Sequence, residues 1–337
     1  MDATPRPLLL GLLMLAGGAL WVGHLCLQRA SSPTTVDYVA NVLRLDAQEE
    51  PGPLLGRDAL GQRFREGRII AGDTPHRLIL FSFDDGPDRH LTPRLLDRLD
   101  EVGVRALFFL TAARLAGTGP AAQARRAVAR DMAQRGHLLG SHTLDHAQLT
   151  LLSNEDVLAQ LMDAAIVFEG VFGQTPVLFR PPGGAHSPRI DRLTAAAGYT
   201  TVLWNLGTGD TQVRTAQEVF EIWQRVLKRR EREQGVRGGI VLLHDIHPWS
   251  IAAFELIVDE LLRRNCTLLD TGEELYDLVD DPRWFFEPRH NPWSGHRADP
   301  STFAAEARID PQALQARQRL LRKRTRDRCQ PTPSQPS

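Results

Sequence analysis

Leu78-Ile79-Leu80-Phe81-Ser82-Phe83-Asp84-Asp85-Gly86-Pro87 is the stretch on which the reading of this chain turns. A short apolar run bounded by turn residues predicts a buried strand over 78–83. Gly86-Pro87 then breaks the chain into a turn, so two adjacent carboxylates stand at the strand's end. An ionised carboxylate beside an apolar core is costly unless something pairs with it or coordinates it. The pair therefore reads as a metal site, a catalytic base or both. The plainer reading is a loop in which Asp84 or Asp85 caps the next helix.

Outward from this strand the same unit repeats. Short apolar runs stand at 104–110, 137–140, 176–179, 200–204, 239–243 and 266–269. Between them lie segments of helical period at 91–102, 121–135, 154–171, 188–197, 216–232 and 251–264. Ser153, Ser187 and Ser250 stand where helix starts are expected. Strands alternating with helices imply an α/β fold with a parallel sheet. About seven such units suit a closed or nearly closed barrel, whose chemistry collects at the C-terminal ends of the strands. An open doubly wound sheet is the rival, because strand order is not encoded in the pattern.

The 337 residues suffice for one large domain with extensions or for two modest ones. With 42% hydrophobic and 24% charged residues the composition is that of an ordinary globular protein. A net charge of −1 gives no reason to expect a nucleic-acid partner. Residues 8–23 are almost wholly apolar, near the short edge of the roughly 20 needed to span a bilayer. Residues 1–30 thus read as a signal peptide or an uncleaved signal anchor, which would put the rest outside the cytoplasm, membrane-anchored, periplasmic or secreted. The polar stretch 31–75 reads as a linker or collar. Beyond it, 76–280 forms the repeating domain, and 281–337 a C-terminal extension. That extension holds an aromatic cluster (Trp284-Phe285-Phe286, Pro292-Trp293), a basic run at 317–328 and a polar end expected to be disordered. The cysteines, at 26, 266 and 329, imply no disulfide framework and no CxxC site.

Three further polar clusters end later strands. In Ser141-His142-Thr143-Leu144-Asp145-His146, histidines four apart share one face of a helical turn and can grip one cation. With Asp85 they form an Asp-His-His set, and three protein ligands with open positions describe a catalytic rather than a structural metal site. In Arg180-Pro181-Pro182-Gly183-Gly184 the prolines stiffen a loop whose glycines let backbone N–H groups approach a ligand. Arg180 is placed to hold a carboxylate. Leu242-Leu243-His244-Asp245 ends its strand in a histidine that is either packed or catalytic.

In this order the four clusters resemble the motifs of the polysaccharide deacetylases that share the NodB homology domain (carbohydrate esterase family 4), over roughly residues 76 to 275. The resemblance implies a distorted, incomplete (β/α) barrel. It also implies removal of N- or O-linked acetyl groups from sugars with a divalent metal, commonly Zn2+, although Co2+, Ni2+ or Fe2+ also suit the ligands. Carried over by motif, Asp85, His142 and His146 would be the metal ligands and Asp84 the general base. The Gly183 N–H would hold the oxyanion and His244 would protonate the leaving amine. Arg180 would orient Asp84, Leu242 would line the acetyl pocket, and Asp210 would orient His244. Two departures stand out. Gly183 occupies a position that is often Tyr, and the usual Asp-x-x-Asp-Trp run is Gly207-Thr208-Gly209-Asp210-Thr211, which keeps only the second acid. Trp204 and His186 are candidates to rebuild that groove, Trp204 with a core role and His186 with a surface role as the alternatives; His247 reads as structural or as a neighbour at the site's outer edge.

The expected partner is an extracytoplasmic glycan: peptidoglycan, a chitin-like oligomer or an exopolysaccharide. The competing readings are an O-acetyl esterase or amidase on the same scaffold, and a non-catalytic glycan-binding protein. The last has no use for a base and an acid.

Overall fold

In the computed structural model of the chain, residues 69–282 and 311–329 are described. The apolar segment at 8–23, positions 31–68 of the stretch 31–75 read as a linker, the aromatic cluster and the last eight positions, 330–337, lie outside the described residues, whereas Ile69–Ile70 of that stretch form a strand. Among the described residues nine strands form one sheet: β1 (Ile69–Ile70), β2 (Leu78–Asp84), β3 (Leu107–Leu110), β4 (Leu138–Ser141), β5 (Leu178–Phe179), β6 (Thr200–Val202), β7 (Leu206–Gly207), β8 (Gly239–His244) and β9 (Asp277–Leu278). The order is β1-β6-β5-β4-β3-β2-β8-β7, with β9 added to the first residues of β2. Every ladder between these strands is parallel. Only Leu203, Trp204 and Asn205 separate β6 from β7, although the two lie towards opposite ends of that order. The sheet therefore curls on itself. Leu203 N–H donates to Ile70 O (2.7 Å) and Asn205 N–H to Ile240 O (3.3 Å), stitching this short link to both flanks. The result is the distorted, incomplete barrel implied by the motifs, with more strands than the sequence pattern displays.

Among the described residues seven helices accompany the strands: α1 (Leu91–Val102), α2 (Pro120–Gln134), α3 (Asn154–Phe172), α4 (Pro188–Ala196), α5 (Ala216–Gln234), α6 (Pro248–Thr271) and α7 (Pro311–Cys329). Ser153 and Ser187 cap α3 and α4, accepting from Asp156 N–H and Ile190 N–H, as their positions predict. Thr215 does the same for α5, and Gly103, Gly173, Gly235 and Gly272 end their helices in the left-handed conformation. Among the described residues no helix is long and apolar enough to cross a membrane.

The period of two along each strand sorts the side chains. Ile79, Phe81 and Phe83 of β2 join the core under the helices, where Phe81 meets Phe254 of α6 edge-on at 4.8 Å. Leu78 and Leu80 point the other way and share a second core with Leu107, Phe109, Leu138, Leu178, Val202 and Ile240, the barrel interior. Ser82 and Asp84 continue that inward series. The inner face thus runs from apolar at the start of β2 to polar at its end.

Three expectations need correction. Residues 266–269 are not a strand; they are the last turns of α6, which runs on because no breaker intervenes before Gly272. The strand missing there is β9, too short to show as an apolar run. His142 and His146 do not share a helical turn, since Thr143 and His146 have φ of 68° and 70° and the segment is a loop. Finally, Cys266 and Cys329 are joined by a disulfide that ties α7 to α6. Spacing did not reveal it, because the partners lie on elements whose packing is set by the fold.

Candidate active site

Arg180, at the end of β5, is the largest polar side chain enclosed in the barrel, with no solvent exposure. Its guanidinium stacks over Phe109 (4.1 Å to the ring centre), and Trp204 lies at 5.5 Å. Nε donates to Val202 O (2.9 Å) and Nη2 to Leu203 O (2.9 Å). Nη1 donates to Ser82 Oγ (2.9 Å) and Asp84 Oδ1 (2.7 Å). Burial works against this cation and Asp84 beside it works in its favour. The carboxylate of Asp84 is thereby fixed by a buried, charge-assisted bond, with its other oxygen 3.8 Å from His142 Nε2. Asp84 does not cap α1. That task falls to Asp88, whose Oδ1 accepts from His90 N–H and Leu91 N–H at 2.8 Å each.

Asp85 follows with φ 73°, a left-handed turn that swings its side chain away from the barrel interior towards the histidine loop. Its Oδ1 lies 3.5 Å from His142 Nε2 and 3.3 Å from His146 Nε2, and it is buried with no hydrogen-bond partner. His142 Nδ1 bonds to Arg180 O at 2.7 Å, which directs Nε2 into the cluster. Burial holds the His142 imidazole below its usual range, in the neutral form that a ligand needs. The loop is braced from α3: Gln160 Oε1 accepts from Leu144 N–H (3.1 Å) and Asp145 N–H (3.3 Å). His146 N–H donates to Thr143 Oγ1 at 3.0 Å.

The three candidate ligand atoms lie within 4.8 Å of one another. Ligands about 2.0–2.1 Å from an ion at tetrahedral angles stand about 3.3–3.4 Å apart, close to the two separations from Asp85 Oδ1. An orphaned buried carboxylate oxygen facing two imidazole nitrogens fits a divalent cation in donor type and spacing.

Across from this cluster, His244 ends β8 with Nδ1 2.9 Å from Asp210 Oδ1. Asp210 is held by four contacts. Its Oδ2 accepts from His244 N–H (2.8 Å) and Ser250 Oγ (2.5 Å), and its carbonyl from Trp249 Nε1 (2.7 Å). Burial alone would push the His244 imidazole down; the Asp210 carboxylate, with Asp84 and Asp85 nearby, raises it to about 9. Burial likewise opposes the Asp210 charge, but its bonds to His244 and Ser250 hold the carboxyl below its usual value. At neutral pH the pair is a cation beside an anion, with the Nε2–H of His244 directed away from Asp210.

Between these groups lies the Pro181–Gly184 turn. Gly183 and Gly184 have φ of 62° and 67°, and a Cβ on Gly184 would come within 2.7 Å of the Trp204 ring. Trp204 therefore wedges between this turn and Arg180, a positioning role in the barrel rather than an open groove wall. Leu242 lies two positions before His244 on the inward face and is 9% exposed. His186 pairs with Asp191 at 3.1 Å, and His247 stacks on Trp249 at 4.6 Å.

The structure thus brings Asp84, Asp85, His142, His146, Arg180, Asp210, Gly183, Leu242 and His244 to one end of the barrel. It adds groups that sequence reasoning missed. Ser250, read as a helix cap, is buried and bonds Asp210; α6 starts earlier, at Pro248. Asp245 lies fully buried beneath the Asp85-Gly86 turn, accepts from Thr92 Oγ1 (2.5 Å), and is pushed up to about 7 by burial. A Cβ on Gly86 would collide with its carboxylate. The Leu-Leu-His-Asp order was the one signal that could have found it.

Comparison with known proteins agrees with this geometry. Residues 71–202 match the polysaccharide deacetylase family model. The chain is 31% identical over 202 residues to a peptidoglycan-N-acetylglucosamine deacetylase of Bacillus cereus, covering 59% of this chain and 88% of that relative. It is 30% identical over 225 residues to the peptidoglycan-N-acetylglucosamine deacetylase PgdA of Listeria monocytogenes, of whose length it spans 44%. Among solved structures, the chitin deacetylase of Colletotrichum lindemuthianum superposes with a TM-score of 0.51 at 27% identity, over 57% of this chain and 84% of that one.

Proposed function

The chain belongs to the polysaccharide deacetylase family, and on that premise we propose that it hydrolyses the acetamide of N-acetylated sugars in an extracytoplasmic glycan, peptidoglycan first. The observation that carries this reading is the division of labour between adjacent acids. Asp85 Oδ1 faces two imidazole nitrogens, and Asp84 is clamped by a buried arginine. Asp85, His142 and His146 would hold a divalent cation, and zinc is the one we propose, since it suits the mixed nitrogen and oxygen donors. Such an ion supplies Lewis-acid chemistry, lowering the pKa of water and polarising a carbonyl.

The protein's own groups do the rest. Asp84, fixed by Arg180, takes the proton of the attacking water on the oxygen that Arg180 does not bind. The Gly183 N–H, presented by a turn that its glycines permit, holds the developing oxyanion. His244, kept protonated by Asp210, delivers a proton from Nε2 to the leaving sugar nitrogen. Leu242 lines the wall against the acetyl methyl. Base and acid thus come from opposite sides of the site, the first clamped by a buried arginine and the second kept protonated by a buried carboxylate. The Cys266–Cys329 disulfide supports an oxidising compartment, in keeping with a glycan outside the cytoplasm.

The test is acetate release from peptidoglycan and N-acetylated oligosaccharides, with and without a chelator. Chelation abolishes release and added zinc restores it. Asp84→Asn lowers the rate about 10²–10⁴-fold while the protein keeps its metal, whereas His142→Ala loses both. Acetate release by Asp84→Asn at the wild-type rate would sink the assignment.

A further inference from the structure

Helix α7 takes no part in the site, and its two sides differ in kind. The inward side is spent on attachment. Leu314 is 9% exposed and packs with Leu78, Ile70 and Val279 in the lower barrel interior. Gln318 bonds both the N–H and the carbonyl of Leu275 (2.9 and 3.0 Å), and Cys329 is bonded to Cys266. The cations on this side are committed as well. Arg317 donates to Asp277 (2.7 and 2.9 Å) and Asp280 (2.8 Å), and Arg322 to the carbonyls of Gly272 and Glu273 at the end of α6.

The outward side carries Arg319, Lys323, Arg324 and Arg326, all exposed, with Asp327 as the acid among them. Arg319, Lys323 and Arg326 stand at i, i+4 and i+7 and form one stripe. Among the described residues none of these four has a carboxylate partner. Leu320, 60% exposed, stands beside the stripe. On a chain of net charge −1 this is a local concentration of unneutralised cations around one apolar side chain.

The place of the helix gives the stripe a direction. Arg317 grips Asp277, which pairs with Leu78, the first residue of β2. Asp84 is the last residue of that 7-residue strand, about 20 Å further along at 3.3 Å per residue. The stripe therefore belongs to a helix anchored at the barrel end opposite the candidate site.

We propose that the outward face of α7 docks the barrel, base first, on an anionic lipid bilayer, so that the site looks away from the membrane. A row of cations around an exposed leucine fits an interface with both headgroup charge and an acyl boundary; a hydrated polyanion offers only the first. The inference does not depend on the reaction assigned above.

The test uses the full chain with vesicles of phosphatidylglycerol and phosphatidylcholine, and with phosphatidylcholine vesicles alone, at about 0.1 M and about 0.5 M salt. Insertion of the apolar N-terminal segment contributes equally to both vesicle types, so the difference between them is the readout. Partitioning to the anionic vesicles exceeds that to neutral ones by about a hundredfold at low salt, and the excess shrinks at high salt. The triple variant Arg319→Glu/Lys323→Glu/Arg326→Glu removes the excess. Should that variant misfold by circular dichroism, Arg319→Gln/Lys323→Gln/Arg326→Gln serves instead and loses about fivefold per cation. Equal partitioning of the wild type, or an excess kept by a folded variant, overturns the proposal. So does retention on an anionic wall polymer with no excess on vesicles, which would make the polymer the partner.

Discussion

At the upper end of the barrel Arg180 meets Asp84 at 2.7 Å with both side chains buried; at the lower end Arg317 meets Asp277 at 2.7 and 2.9 Å with 17% of its side chain exposed. The pairs look alike, but their surroundings do not. Near Asp84 the chain holds Asp85, Thr143 and His146 at positive φ, the non-glycine residues with this conformation among those described. Thr143, being β-branched, is the least suited of the three. Asp85 and Asp245 there each keep a buried oxygen without a hydrogen-bond partner. Around Arg317, by contrast, an apolar plug, a disulfide and paired ions close the barrel. Arg77 Nε and His137 Nε2, just ahead of β2 and β4, are also buried without a partner. What sets the upper end apart is therefore backbone strain, which persists only where the surrounding structure over-determines it. The lower end supplies stability, and the upper end draws on it.

Replacing each arginine in turn separates the two ends most sharply. Arg180→Met leaves the Asp84 charge buried without its partner, a loss of about 3–5 kcal/mol. Arg317→Met, at a partly solvated pair, costs about 1 kcal/mol or less. Denaturant unfolding measures both, and acetate release follows the same split, falling with the first substitution and holding with the second. If the two variants were equally stable, the contrast between a buried and a solvated pair would fail.

Next in size is the clasp. Cys329→Ser opens the covalent tie between α6 and α7 and lowers stability by about 2–4 kcal/mol. Because α7 lies about 20 Å from Asp84, the folded variant should release acetate at the wild-type rate. A loss of activity under conditions where circular dichroism shows a folded protein would mean that the lower end shapes the site as well as supporting it.

What the sequence made legible follows from the same division. Asp84, Asp85, His142, Arg180 and His244 each stand at the end of an apolar run or just past it, so turn residues and strand period suffice to group them. Residues 200–204 gave an apolar run, but β7 and β9, two residues each, did not register as periods. Residues 266–269 misled because a helix interior can carry four apolar or β-branched residues as readily as a strand. Ser250, Asp245 and Gln160 escaped notice because each works through a partner distant in sequence: Asp210, Thr92 and the backbone of the histidine loop. The disulfide escaped for that reason too, since Cys266 and Cys329 are 63 residues apart.

The mildest test concerns how the polar groups of the upper end set one another's proton affinity. Asp210 lifts the His244 imidazole from its ordinary 6.5 to about 9 against the pull of burial. A histidine that binds its proton more tightly folded than unfolded stabilises the fold fully below pH about 6.5, and that contribution fades as the pH climbs through about 9. Asp210, held below its ordinary value, works in the other sense: its contribution is present above pH about 4 and lost as the pH falls. Acetate release should therefore have an alkaline limb near pH 9, where His244 ceases to be an acid. In Asp210→Asn the largest of the charges that oppose burial is gone, and the limb should move towards acid, so that activity at pH 7.5 drops more than the activity left at pH 6. A variant with lower activity but an unmoved limb would show that Asp210 only holds the shape of the β8 end. The upper end would then differ from the lower one in strain alone and not in the tuning of its charges.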